Sequence, residues 1–169
     1  MTGRGMSVKG RVAEAAELSG VRGCLQDYAD RGVFRGYAEL PERRGSIVFR
    51  FSWLGRHPYD LRYEPGTGAF TFLNAFPEVG SRSPLSYALK KFVEGRSAEA
   101  LPDHRRIDPA RASVSASVRQ GALRLQVLAK PGEHAYSANR VVNLLHEVHL
   151  YLSLYYPEYL WENYDAPQE

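Results

Sequence analysis

The sequence predicts an α+β fold, an antiparallel sheet made of a meander and a second hairpin and packed against three helices, in the order α-β4-α-β2-α. Two patterns predict it. Six short segments alternate apolar and polar residues, and three longer ones repeat apolar residues three and four apart. Size agrees: 169 residues, 44% of them apolar, with 11 Tyr, 7 Phe and 2 Trp, make one domain able to bury an ordinary core.

Residues 1–11 are Gly-rich and basic and read as a flexible tail, ahead of a single α+β domain over 12–157. The first helix runs from Val12 to Arg31, with Leu18, Val21, Leu25 and Tyr28 at helical spacing and Gly32 as its stop. Gly20 and Gly23 each cost about 1 kcal/mol relative to Ala, so this helix depends on packing. Four strands follow. VFRGYAEL (33–40) comes first, and SIVFRFSWL (46–54) sets Ile47, Phe49, Phe51 and Trp53 on one face. YDLRYE then alternates through Tyr59, Leu61 and Tyr63, and AFTFLNAF carries Phe70, Phe72 and Phe76 beyond the Pro65-Gly66-Thr67-Gly68 reversal. Strict alternation means that one aromatic face is covered and the other is largely wet.

Ser83-Pro84 is a helix start, with Ser as N-cap and Pro in the first turn, and Leu85, Leu89, Phe92 and Val93 form the buried stripe up to Gly95. Residues 96–110 read as a long loop. A second pair of strands faces Val114, Ala116 and Val118 towards Leu123, Leu125 and Val127 across a Gln120-Gly121 turn. Ser137 is the expected cap of a last helix over about 138–156, stopped by Pro157. On that helix Val141, Leu144, Leu145, Val148, Leu152 and Tyr155 make the stripe a sheet would cover, while Leu150 and Leu154 fall nearly opposite, with Tyr151 between. Residues 158–169 form an acidic, aromatic C-terminal segment.

The formal charge of +3 is unevenly spread. Residues 1–130 hold 21 basic and 13 acidic side chains, a net of +8, whereas residues 131–169 hold only Arg140 against six acids, a net of −5. Arginine outnumbers lysine 18 to 4, which suits phosphate recognition and is equally what a GC-rich coding sequence gives. No apolar run approaches the roughly 20 residues that cross a bilayer, and the start lacks the apolar core of a secretory signal, so the expectation is a cytoplasmic protein with no membrane partner.

No catalytic, cofactor or metal set emerges. His146-Glu147-Val148-His149 spaces its histidines i, i+3 where the zinc-protease helix needs i, i+4. Cys24, the single cysteine, has no local nucleophile signature around it, and with His57, His104, His134, His146 and His149 scattered elsewhere it reads as a structural thiol. Gly-rich phosphate loops and nucleophile elbows are absent, and Gly66-Thr67-Gly68 is a turn.

Two sets of residues remain as binding candidates. Leu150, Tyr151, Leu154, Tyr159, Trp161 and Tyr164 are candidate protein-interface residues, because apolar and aromatic side chains cluster there in polar surroundings. Arg43, Arg44, Arg50, Arg62, Arg105 and Arg106 are the alternative, a surface for single-stranded nucleic acid. Against it, the aromatics alternate onto the face opposite the strand arginines.

The element order over residues 12–157, carried by LSGVRGCLQDY, SIVFRFSWL, SPLSYALKKFVEG, VSASVRQGALRLQV and NRVVNLLHEVHLYLSLYY, resembles the small secretion-chaperone fold of class I type III chaperones and the YbjN-like bacterial proteins. The chain differs in being mildly basic where type III chaperones are typically acidic, and in one additional strand before the middle helix. The resemblance implies a non-catalytic homodimer that holds extended segments of client proteins against an apolar surface. With the residue reading, the expectation is a homodimeric, non-enzymatic protein-interaction or chaperone-like module. It meets a second copy and a protein client through its C-terminal helix and tail.

Overall fold

The computed structural model describes residues 7–55 and 57–164. The chain runs through α1 (Val8–Asp30), β1 (Arg35–Glu39), β2 (Ile47–Ser52), β3 (Pro58–Glu64), β4 (Ala69–Phe76), α2 (Pro84–Glu94), β5 (Ala112–Arg119), β6 (Ala122–Ala129), α3 (His134–Tyr155) and α4 (Pro157–Tyr164). The strands form one six-stranded sheet in the order β1-β2-β3-β4-β6-β5, with every pairing antiparallel. It is the expected α+β architecture with a fourth helix added. No helix among the described residues is long and apolar enough to cross a membrane.

Alternation decides which face is covered. Ile47, Phe49 and Phe51 of β2, Tyr59, Leu61 and Tyr63 of β3, Phe70 and Phe72 of β4, and Leu123, Leu125 and Val127 of β6 all enter one core cluster with the apolar faces of the helices. A bulge between Phe72 and Phe76 resets the alternation of β4, so Ala75 and Phe76 are both buried. β1 is shorter than its apolar pattern because a bulge also interrupts its pairing with β2, while Phe34, just before it, stacks on Phe51 with ring centroids 3.8 Å apart. β5 and β6 pair in the expected register, Val114 with Val127, Ala116 with Leu125 and Val118 with Leu123.

The helices start earlier than their apolar repeats suggest. Ser7 caps α1 by accepting from Gly10 N–H, so Val8–Arg11 is helix and not tail; residues 1–6 lie outside the described residues. These first turns bury no apolar stripe, since Val8 and Val12 are exposed, and the sequence pattern is silent there. α3 begins at His134 with Glu133 as its cap residue, and Ser137, the expected cap, donates instead to Glu133 O from inside the helix. Gly20 is where α1 meets α3: a Cβ added there would stand 3.2 Å from the Ala135 Cβ. The glycine that weakens the helix in isolation lets the two helices come this close.

Three elements are joined at one buried histidine. Tyr63 Oη of β3 lies 2.6 Å from His134 Nδ1, and His134 Nε2 lies 3.1 Å from Glu17 Oε2 of α1, which also accepts from Gly132 N–H at 3.2 Å. With Nε2–H turned to the carboxylate, Nδ1 is left as acceptor for the Tyr63 hydroxyl. Gly68 packs beneath this histidine in the left-handed region, φ +79°, where an added Cβ would stand 2.7 Å from the Ala129 carbonyl oxygen.

Gly68→Ala combines a left-handed residue with a backbone clash, so it is expected to destabilise the fold by about 2 kcal/mol or more. Gly66→Ala, at a position with open space and no positive φ, is expected to be neutral or stabilising by up to about 1 kcal/mol. Urea unfolding of the two variants checks this, and equal midpoints would contradict the strain assigned to Gly68.

Candidate functional site

Among the described residues, the last two helices carry four exposed large apolar or aromatic side chains, Leu150, Leu154, Tyr155 and Trp161. α3 buries Val141, Val142, Leu144, Leu145, Val148 and Leu152 in the core it shares with the sheet and α1. Past Leu152 the buried stripe ends. Tyr155, expected in it, is 67% exposed, and Leu154 is 74% and Leu150 42% exposed on the opposite face. Tyr151 is half-buried, stacked on Phe92 of α2 at 4.5 Å between centroids and touching the rings of Tyr155 and Tyr156. Trp161 is 47% exposed on α4.

Two of the expected interface residues belong to the core instead. Pro157 opens α4, which turns the chain back and buries Tyr159, Leu160 and Tyr164. The Tyr159 hydroxyl donates to the Pro77 carbonyl and that of Tyr164 to the Ala75 carbonyl, both at the irregular end of β4, and Tyr59 donates to Tyr164 Oη at 3.1 Å. Burial pushes the Tyr59 hydroxyl up to about 12, with the Tyr164 bond acting the other way, so these phenols stay neutral donors. Tyr159 and Tyr164 are therefore corrected from interface to anchors of α4. Residues 165–169 of the C-terminal segment lie outside the described residues.

Between α4, the end of α3 and the start of α2 lies an open groove of about 770 Å³, with Leu85, Tyr155 and Tyr156 among its walls and Glu78, Glu158 and Glu162 as its charges. Among the described residues its lining holds three carboxylates and no cation. Of the acids at the end of the chain, Glu158 and Glu162 stand here, beside the exposed Tyr155.

The arginine set is dispersed. Arg43 and Arg44 sit in the β1–β2 turn. Arg50 is clamped to Asp60 across β2–β3 at 2.7 and 2.9 Å, and Arg105 to Glu147 of α3 at 3.0 and 2.9 Å. Arg106 donates to Ser97 O at 3.3 Å. Arg105 and Arg106 thus lie on the helix side, away from Arg50 and Arg62.

Arg62 is different. It stands on the uncovered sheet face in a row with Thr71, Gln126 and Ser115, its Nε is buried without a hydrogen-bond partner, and no carboxylate pairs with it among the described residues. Arg124, in the neighbouring row, is in the same condition; burial lowers it from its ordinary value, and the like charges of Arg119 and Arg62 lower it further. Sequence reasoning passed over Arg119 and Arg124. The alternation of ASVSASVR and ALRLQVLA was the signal that places them on this face. No aromatic side chain shares it, because the strand rings all point into the core.

The groups with possible chemistry are set apart. Cys24 is half-buried on α1, burial and then Asp27 push its thiol up to about 11, and no histidine is hydrogen-bonded to it. His146 packs 5.5 Å from the Trp53 ring and His149 6.0 Å from the Tyr164 ring. Glu17, His134 and Tyr63 stand in the order carboxylate, imidazole, hydroxyl, yet Tyr63 is fully buried. A reacting molecule cannot reach that oxygen without opening the core. Comparison with protein-family models, with curated proteins and with solved structures found no match to this chain.

Burial lowers the pKa of His149, with His146 adding like-charge repulsion. On acidification the unfolded chain takes up this proton first, near its ordinary value of about 6.5. Stability is then level above neutrality and falls as pH drops below about 6.5, by at most about 1.4 kcal/mol per pH unit for this one group. Glu147 is held below the ordinary carboxylate range, since Arg105 and Arg96 outweigh its burial, so it contributes to acid unfolding only at lower pH. His149→Gln is expected to flatten urea midpoints between pH 7.5 and 5.5 relative to the parent chain; unchanged slopes would assign the acid sensitivity elsewhere.

Proposed function

We propose that the chain is a non-enzymatic protein-interaction module that pairs with a second copy of itself through the outer face of α3. The observation that carries this is the exposed ridge of Leu150 and Leu154, one turn apart on α3 and 42 and 74% exposed, with Tyr155 and Trp161 67 and 47% exposed on the same two successive helices. Four large apolar or aromatic side chains open to water at one end of a small domain are what a partner surface removes from solvent. The half-buried Tyr151 stack on Phe92 gives this ridge a rigid floor. The acidic groove beside it, edged by Glu158 and Glu162, favours a cationic polypeptide segment as client over an acidic one. This agrees with the chaperone-like reading of the element order.

Light scattering at micromolar concentration is expected to give twice the chain mass of 19.0 kDa. Leu150→Glu with Leu154→Glu is expected to give a monomer with unchanged circular dichroism, since neither side chain is part of the core. A parent protein that stays strictly monomeric, or a double variant that still pairs, overturns the self-association.

A second reading rests on Arg62 and Arg124, the cations of the open sheet face that lack carboxylate partners. Together with Arg119, Ser115 and Gln126 they offer donors to phosphate oxygens, in the manner of sequence-independent backbone contacts. Fluorescence polarisation with a labelled oligo(U) is expected to show affinity that falls with salt, and Arg62→Gln with Arg124→Gln to reduce the slope of log K against log salt by about 1.4. Absence of any salt-dependent binding ends this reading.

A further inference from the structure

The sheet ends in two strands of opposite character. At one edge β1 is five residues long, a bulge interrupts its pairing, Gly36 lies in the left-handed region at φ +61°, and Arg35 and Glu39 put charges at its ends. Such features keep a further strand from adding to an edge. At the other edge β5 runs for eight residues, ASVSASVR, in unbroken register with β6. It has no proline, glycine or lysine, and Arg119 at its end is its single charge. Helix α2 packs on it, yet Val114, Ala116 and Val118 stay part-exposed, whereas Val127, Leu125 and Leu123 opposite them on β6 are fully buried. The rim of β5 is open.

Main-chain geometry fixes which groups are free there. Ala129 N–H donates to Gly68 O, on the side away from β5, so Ala129 and Ala112 opposite it exchange no hydrogen bonds. In an antiparallel ladder such pairs alternate with bonded ones. The N–H and C=O of Ser113, Ser115, Ser117 and Arg119 therefore face β6. Those of Val114, Ala116 and Val118 face outward, where no main-chain group of the described residues bonds to them. The stretch Val114-Ser115-Ala116-Ser117-Val118 also reads the same in both directions. Two antiparallel copies centred on Ala116 set Val114 against the second copy's Val118 and Ser115 against its Ser117, with Ala116 opposite itself. Each outward N–H then meets a C=O, apolar side chains meet on the covered side and hydroxyls on the uncovered side. Arg119 falls opposite Ser113, whereas centring the pair one residue earlier would oppose it to Arg111.

We infer that the β5 edge is a self-recognition surface, on which a second copy of the chain lays its own β5 antiparallel about Ala116, so that one sheet runs through both copies. The open rim, the outward main-chain groups and the palindrome agree on the same residue as centre. This contact is separate from the one proposed through α3. It is narrow and made of small side chains, so it forms at higher concentration than the α3 contact. Both contacts are two-fold and lie on different elements, so a chain that uses both associates past the dimer.

Sedimentation of the parent protein from micromolar to near-millimolar concentration is expected to show the mean mass doubling. Ala116→Pro removes an outward N–H at an edge position that tolerates proline and is expected to abolish the rise. Ser115→Glu with Ser117→Glu sets carboxylates opposite one another between copies, while within the chain they lie beside Gln126 and Arg124. This pair is also expected to abolish the rise, and it reports even if Ala116→Pro does not fold. Leu150→Glu with Leu154→Glu acts on the mass at micromolar concentration and leaves the rise in place, which separates this contact from the one through α3. Register is checked by cross-linking in a Cys24→Ala background with copper phenanthroline as oxidant. A mixture of Ser115→Cys and Ser117→Cys chains is expected to cross-link more than either chain alone, because the opposed Cα atoms stand about 4.5 Å apart, within disulfide reach. A mass that does not rise overturns the inference. So does a rise that survives Ser115→Glu with Ser117→Glu, or a mixture that cross-links no more than its separate chains.

Discussion

The pairing of β4 with β6 is the constraint on which the rest of the molecule depends. Every other strand pair is a hairpin between sequence neighbours, but here Ala69 meets Leu128 and Phe70 meets Val127. This one ladder makes a single sheet from a meander and a distant hairpin. It places β5 at the edge, where α2 packs against it, and lets α3 leave β6 and return across β6 and β4. The covered face, the position of α4 and the loop over Arg96 all follow. Thr71 and Gln126, opposite each other in the ladder and joined at 3.1 Å, support it from the uncovered side.

Charge is sorted by this architecture. Glu158 and Glu162 of α4 line the groove together with Glu78, beside the exposed Tyr155. Arginine is left without a carboxylate partner on the open sheet face, at Arg62 and Arg124. Arginines paired to a carboxylate, Arg50 with Asp60 and Arg105 with Glu147, are the ones that look most available in the sequence. Arg62 and Arg124, which pair with no carboxylate among the described residues, stand on the uncovered sheet face beside Thr71 and Ser117. The adjacent Arg105 and Arg106 are taken up by Glu147 and the Ser97 carbonyl, so adjacency in the sequence does not by itself mark free positive charge.

Much of the fold was legible because the signals were local. Alternation in IVFRFS and LRLQVL, the Ser83-Pro84 start and the Gln120-Gly121 reversal each act through their own backbone, and all reappear in the structure. The exposed face of α3 was legible too, since Leu150 and Leu154 fall opposite the buried stripe by helical geometry alone. What could not be read locally was decided by contacts far along the chain. Tyr159 and Tyr164 are buried because carbonyls at the irregular end of β4 are free to accept from them, and nothing in PEYLWENY announces those acceptors. The starts of α1 and α3 carry few apolar residues, so periodicity has nothing to report there. Arg96 lies in a segment with no pattern, and its enclosure is produced by Phe92, Glu147 and the returning loop together.

The helix that covers the middle of the sheet follows all six strands in the chain, which has a consequence during synthesis. By the time Phe76 has left the ribosome, the meander can present Phe49, Phe51, Leu61, Phe70 and Phe72 on one side. The segment that shields them ends at Tyr155. At a translation rate of about 5–20 residues per second, that side stays bare for on the order of 10 s. The nascent meander thus carries an uncovered aromatic side until α3 is made, and truncation before residue 134 leaves that side without α3.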